Sequence, residues 1–276
     1  MNFLQSFSLY AAALALGALG ALYAGNGGIR HFGLEGVMLA GGLAGVLSSS
    51  LPTGVPLAIA GAAGAAYSLI LGFALIRRGN QYAAGLAVNG MAAAIAMIAA
   101  RLTGGFRYSR KAFLLTFDGG TVSVFLPAAL ILLLAGWLLL YHTRWGLRLR
   151  ACGEAPEAAE NLGASVSGLR LSGMILSGFF AGIGGAACLV ALGGGWSVES
   201  GLGGAGFLAL AAAALGGWKP FRVVFAALVF ALLRAGLDQA AEAGWMSADL
   251  ACMLSYLASA FLLIFTSRKK LGSLTR

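Results

Sequence analysis

The sequence predicts an all-α, polytopic integral membrane protein of about 8–10 transmembrane helices, one or more of them broken or re-entrant. Three observations carry this. Of 276 residues, 60% are hydrophobic and 10% charged, whereas a soluble domain carries about a quarter charged residues to coat its surface. The apolar residues arrive in repeated blocks long enough to cross about 30 Å of hydrocarbon. No regular alternation over segments of about ten residues marks a transmembrane barrel, and the low charge excludes disorder. The formal charge of +9 comes from Lys and Arg scattered at block ends instead of one patch. That excludes nucleic acid as a partner and makes these residues topology markers.

Apolar runs bounded by Gly, Pro or charge place helices at 7–24, 35–50, 56–76, 83–101, 122–141, 169–192, 205–217, 221–237 and 247–266. Residues 1–10 lack a basic segment and run into the first apolar block with no cleavage site, so a retained helix is expected. Gly25-Asn26-Gly27-Gly28 either ends that helix or breaks it within the membrane. Gly41 with Gly45, and Gly178 with Gly182, have the small-xxx-small spacing that lets helices pack closely, inside one bundle or, as the alternative, at a dimerisation face. The block 204–217 is too short to cross at 1.5 Å per residue and reads as a half-helix or re-entrant piece.

The longest polar interval is the loop at about 142–168. Pro156 suits the first position of a helix, Glu157 complements its dipole and Gly163 supplies a left-handed stop, so a short helix of about two turns is expected. Ala158, Ala159 and Leu162 share a small apolar face on it, with Glu157 and Glu160 to the side. Such a helix either docks in a groove of a partner or is a solvated connector. If Arg77 and Arg78 are cytoplasmic, alternation puts Arg144, Arg148, Arg150, Arg170, Lys219, Arg222, Arg268, Lys269, Lys270 and Arg276 there too. Arg101, Arg107, Arg110, Lys111 and Arg234 then lie opposite, Arg30 on either side, and the C-terminus inside.

No catalytic constellation is visible: there is no His-Glu-x-x-His and no phosphate-cradling GxxxxGK[ST] loop. Cys152, Cys188 and Cys252 are widely separated and suggest neither a disulfide frame nor a metal site. The chain is expected not to be an enzyme. A path for a polar solute needs polar groups inside the bundle. Glu35 follows a glycine-rich break and opens an apolar helix, which makes it the first candidate. Asn80, Gln81 and Asn89 at the fourth helix offer amides that donate and accept to sugar hydroxyls or base edges, and Phe207 can stack on a ring. The alternatives are structural: Asn89 bridging two helices, Glu35 pairing with Arg30, Phe207 packing.

The stretch Gly146-Leu147-Arg148-Leu149-Arg150-Ala151-Cys152-Gly153-Glu154-Ala155-Pro156-Glu157-Ala158-Ala159 resembles the cytoplasmic signature of permease subunits of ABC importers of the simple-sugar and nucleoside group, related to ribose and branched-chain amino acid permeases. Residues 32–39 resemble that family's Asn-Ile-Gly-Leu-Glu-Gly-Met-Met segment, and Gly79-Asn80-Gln81 its Ala-Asn-Gln. Residues 206–211 and 216–220 resemble its Gly-Phe-Ile-Ala-Leu-Ala and Gly-Gly-Trp-x-Pro blocks, all in family order. Ala155 stands where the family usually has Asn, and Ala24-Gly25-Asn26-Gly27-Gly28 replaces its Ser-Glu-Arg.

The resemblance implies a single permease domain over 1–276 in a bacterial inner membrane, with an ATPase-coupling loop in which Arg148, Arg150, Gly153, Glu154, Pro156, Ala158, Ala159 and Leu162 take part. It implies a separate ABC ATPase carrying ATP and Mg, with no cofactor bound directly here. A second permease, identical or not, and an extracytoplasmic substrate-binding protein complete the assembly in lipid. Nucleosides are the expected substrate, then simple sugars. The alternative is an ion-coupled secondary transporter with Glu35 as ion site, distinguished by whether uptake follows ATP or an ion gradient.

Overall fold

The computed structural model describes residues 3–52, 54–76, 79–103, 114–117, 120–192 and 201–271. Eleven helices are described: α1 (Phe3–Asn26), α2 (Leu34–Leu47), α3 (Val55–Ile76), α4 (Gln81–Thr103), α5 (Phe125–His142), α6 (Arg144–Glu154), α7 (Pro156–Asn161), α8 (Val166–Leu192), α9 (Ala205–Leu215), α10 (Pro220–Glu242) and α11 (Ala248–Leu271). One antiparallel hairpin, β1 (Leu114–Phe117) with β2 (Gly120–Ser123), interrupts them before α5. All nine apolar segments expected from sequence are helices. The hairpin and α6 were not foreseen.

Six helices, α1, α3, α4, α5, α8 and α10, are long and apolar enough to cross a membrane. Two others are too short. The 14 residues of α2 and the 11 of α9 reach about 21 and 16 Å, against a hydrocarbon layer of about 30 Å. The half-helix expected at 204–217 is therefore present as α9, and α2 is a second one. At the glycine-rich stretch α1 runs on to Asn26, and the chain then turns through residues 27–33 before α2 begins.

The core is built on α1 and α8, which are apolar all round and buried for most of their length, as such helices must be. Helices α4 and α5 lie at the periphery and expose Leu86, Ile98, Leu130 and Ile131. In lipid, helices associate mainly through van der Waals contact, so backbone proximity matters. Glycine provides it where α2, α3 and α8 meet. A methyl group on Gly41 would strike the backbone of Gly182 and the Ala60 carbonyl; one on Gly64 would strike Gly178. The two small-xxx-small pairs thus face each other and α3 inside the bundle.

One end of the bundle gathers the end of α1, the start of α4, α6, α7, the start of α8 and the α9–α10 turn. There the Trp218 ring covers Gly25, Gln81 Oε1 accepts the Arg30 amide at 3.1 Å, and Gly153 abuts Asn26 and Gly28. Arg234, expected as an outer-loop topology marker, lies instead inside α10 and is 5% exposed. Arg77, Arg78, Arg107, Arg110, Lys111 and Arg276 fall outside the described residues.

The glycine contacts set the stability of the core. Gly182→Ala is expected to lower the stability of the purified chain in detergent by about 1–3 kcal/mol, the usual cost of overpacking, seen as a lower thermal unfolding midpoint. Gly90→Ala, whose methyl meets nothing within 4 Å, should leave the midpoint unchanged or slightly raised.

Candidate functional site

Two regions emerge, one inside the bundle and one on its surface. The inner one lies where α2 and α9 begin. Helix starts leave backbone N–H groups without partners and carry partial positive charge. Glu35, in the first turn of α2, sends its carboxylate to the start of α9: Oε1 accepts from the Gly204 N–H at 3.0 Å and Oε2 from the Gly206 N–H at 2.6 Å. One carboxylate therefore lies at the positive ends of two half-helices. Gly206 has no room for a side chain because the Glu35 backbone occupies that space. Gly204 has φ 72°, and the Tyr256 hydroxyl stands where its Cβ would be. The alternative pairing of Glu35 with Arg30 is not formed. Phe207, two residues into α9 beyond its first, is 44% exposed beside this carboxylate.

The amides predicted from sequence surround the same segment and bind backbone. Asn89 Oδ1 accepts from the Gly36 N–H at 2.8 Å, and its Nδ2 donates to the Phe32 carbonyl at 3.0 Å. Eight residues into α4, it lies about 12 Å along that helix and fastens the break to it. Asn80 caps α4, its Oδ1 accepting from the Tyr82 N–H at 2.9 Å. Gln81 holds Arg30 as described above. On the opposite side, fully buried His31 lies 3.4 Å from Ser68 Oγ, which donates to the Met174 carbonyl at 2.8 Å. Residues 27–36 are thus tied to α3, α4, α8 and α9.

The surface region is the 142–168 interval, which is two helices instead of an open loop. Thr143 caps α6, accepting from the Gly146 N–H at 3.1 Å. Gly146, Leu149 and Cys152 form the buried side of α6. Trp145 Nε1 donates to Ser172 Oγ at 3.1 Å, and its ring lies 6.1 Å from that of Tyr23. Arg150 stacks over the Tyr141 ring at 4.4 Å, a cation–π contact, so its guanidinium is used internally. Gly153 packs against the Asn26 carbonyl and Gly28, while Arg170 Nε donates to the Gly27 carbonyl at 3.2 Å.

Helix α7 begins at Pro156, and Gly163 has the left-handed φ of 80° expected of a stop. Its apolar face is divided, which corrects the sequence reading. Ala159 turns inward onto Cys152 and Val166, whereas Ala158 and Leu162, the latter 88% exposed, point outward with Glu154 and Glu157. The reason is local: α7 is only 6 residues long and lies against both α6 and α8, so one side must serve its own anchoring. Arg148 and Leu147 are exposed on the neighbouring turn of α6.

Sequence reasoning missed Tyr10, Asp238 and Tyr256, and misassigned Arg234. Asp238 forms an ion pair with Arg234 Nε at 3.2 Å and accepts a hydrogen bond from Tyr10 Oη at 2.5 Å. An arginine within an apolar block was the available signal. Among the described residues no group of three or more His, Cys, Asp or Glu is placed to hold a metal ion.

Comparison with known proteins agrees with this architecture. Residues 3–267 match the family described as branched-chain amino acid transport system / permease component. The chain is 34% identical over 249 residues to the guanosine ABC transporter permease protein NupQ of Bacillus subtilis, covering 80% of this chain and 77% of that one. It is 29% identical over 253 residues to the nucleoside ABC transporter permease protein NupC of Lactococcus lactis, covering 81% and 78%. It is likewise 29% identical over 245 residues to the putative glucose ABC transporter permease protein TsgC13 of Haloferax volcanii, covering 82% and 73%. No solved structure matches the chain. With nearly its whole length matched and its helices arranged as a polytopic bundle, the chain belongs to the branched-chain amino acid transport system / permease component family.

Proposed function

We propose that this permease subunit takes up nucleosides across a bacterial inner membrane, driven by a separate ATPase that carries ATP and Mg. A second permease and an extracytoplasmic binding protein complete the importer, and no cofactor binds this chain directly. The end bearing α6 and α7 faces the cytoplasm, as does the C-terminus. Nucleosides are favoured because two relatives are named for guanosine and nucleoside transport. The glucose permease among the relatives supports simple sugars as the second class.

The observation that carries the reading is the joint between the surface helices and the break. Gly153 of α6 abuts residues 26–28 while Arg170 of α8 bonds the Gly27 carbonyl, and a few residues on, the same segment presents Glu35. In this reading Arg148, Glu154, Ala158 and Leu162 meet the ATPase, while Arg150, Gly153, Pro156 and Ala159 give the docking element its shape and anchor it. When the ATPase closes on nucleotide it displaces α6 and α7, and the break moves with them. A shift of this kind changes the access of a central path to either side, by two discrete packings of one site. Once such a shift loosens its bonds to Gly204 and Gly206, Glu35 accepts from solute hydroxyls or ring N–H groups, and Phe207 stacks on a base. Asn80, Gln81 and Asn89 act by holding the segment that presents Glu35.

Three outcomes test this. In proteoliposomes containing the assembled complex, guanosine uptake should require ATP and persist when ion gradients are collapsed with ionophores; uptake by the isolated chain along a gradient would instead identify a secondary transporter. Glu154→Arg combined with Leu162→Asp, both at exposed positions, should abolish ATPase co-purification and reduce uptake more than tenfold while the chain still inserts. Glu35→Gln should reduce uptake about tenfold with ATPase binding retained, as measured by radiolabelled guanosine and subunit stoichiometry.

A further inference from the structure

The inner site has an outer support that the transport reading leaves unused. The turn at 201–204 enters α9 with Gly201, Gly203 and Gly204 all at positive φ, a conformation that glycine adopts without strain. Its N–H groups face Glu35. Its Gly203 carbonyl faces the other way, where Tyr256 Oη donates to it at 2.7 Å and Arg234 Nη1 at 3.4 Å. Arg234 is in turn fixed by Asp238 one turn along α10, and Asp238 by Tyr10 of α1. The Arg234 guanidinium also lies 5.8 Å from the Tyr10 ring centre. One peptide turn is thereby stretched between a carboxylate on α2 and a cation and a phenol on α10 and α11.

We propose that Arg234 and Tyr256 are positioning residues for Glu35: by fixing the Gly203 carbonyl they keep the Gly204 and Gly206 N–H groups directed at its carboxylate. The chemistry favours this over a merely stabilising ion pair. Asp238 offsets the charge of buried Arg234 as an ion pair without a hydrogen bond from Nε, whereas Nη1 donates its hydrogen bond to the turn, and Tyr256 binds that same oxygen. A peptide unit held at its carbonyl has its following N–H oriented by planarity, so the grip on Gly203 sets the donor direction of Gly204. The polarity also agrees. A cation at the carbonyl polarises the Gly203–Gly204 peptide and strengthens its N–H as a donor. The proposal rests on the reading that Glu35 lines the path, but its first test does not.

The variants are Tyr256→Phe, which removes one hydroxyl, and Arg234→Gln with Asp238→Asn, which removes both charges together so that neither is left unpaired. They are studied in the full complex in nanodiscs, each with and without Glu35→Gln. Amide hydrogen exchange over residues 201–207 should rise at least tenfold in the charge-free pair and severalfold in Tyr256→Phe, with α1 and α8 unchanged. Guanosine uptake should fall at least fivefold, and adding Glu35→Gln should cause no further loss. Unchanged exchange at 201–207 overturns the proposal, as does a loss of uptake that multiplies with that of Glu35→Gln, since independent effects would then be at work. If the charge-free pair fails to assemble, the Tyr256→Phe exchange result decides alone. Normal uptake by Glu35→Gln would remove Glu35 from the path, while the exchange result would still decide whether the turn is held as proposed.

Discussion

The bundle depends on a carboxylate shared between two helix starts. A short helix ending at membrane depth has up to four N–H groups with no intrahelical partner, and water is not there to take them. A carboxylate at the same depth has the complementary problem, because charge without a partner is costly in an apolar medium. Glu35 resolves part of both at once, its two oxygens accepting from Gly204 and Gly206 at the start of α9. At the start of α2 the Gly36 N–H is taken instead by Asn89 Oδ1. The requirement then propagates to composition: contact this close leaves no space for a side chain at position 206, and the Tyr256 hydroxyl leaves none at 204.

A half-helix cannot lean on lipid at its inner end, so protein must enclose it. For α2 that enclosure comes from α3, α4, α8 and α9, and glycine is what allows so many neighbours. Gly41, Gly42 and Gly45 meet Gly182, Gly185, Ala60 and Ala186 at distances that exclude larger groups. The abundance of glycine, which in a soluble helix would cost about 1 kcal/mol per residue in propensity, here offsets that cost by bringing backbones into contact. Close packing of this kind resists small distortions, so displacement is carried by whole helices moving together.

Most of the architecture was legible in the sequence because in lipid the apolar run and the helix are nearly the same thing. The short block at 204–217 announced its own re-entrant character by length alone. The helix α6 was not legible because Arg144, Arg148 and Arg150 made residues 142–154 look like a polar connector, although Gly146, Leu149 and Cys152 mark one buried side. Glu35 was readable from its place at the head of an apolar helix; its partner was not, since Gly204 lies 169 residues away and donates through backbone that any residue possesses. Arg234 was misread for a related reason. Charge near the end of an apolar block resembles a loop marker until the helix is seen to continue through to Glu242. Sequence registers the type of a group and its local period, whereas these roles depend on which distant backbone atoms arrive beside it.

The remaining step is how force applied at the surface reaches the inner site. A flexible linker between them would dissipate a small displacement, but the structure offers little slack. The surface helix α6 touches the break through backbone at Gly153, and Arg170, in the first turns of α8, bonds the Gly27 carbonyl. From Gly27 to Glu35 the chain is short, and it is held at Arg30, His31, Phe32 and Gly36 by contacts from α3 and α4. Those contacts decide the outcome. Because Asn89 binds both Phe32 and Gly36, the start of α2 cannot rotate alone; it must carry α4 along or release the amide. Hydrogen bonds weaken steeply with angle, so even a modest tilt of α2 against α9 would loosen the Glu35 bonds to Gly204 and Gly206. The carboxylate would then regain lone pairs, so this pair of bonds is where a displacement of α2 against α9 is felt first.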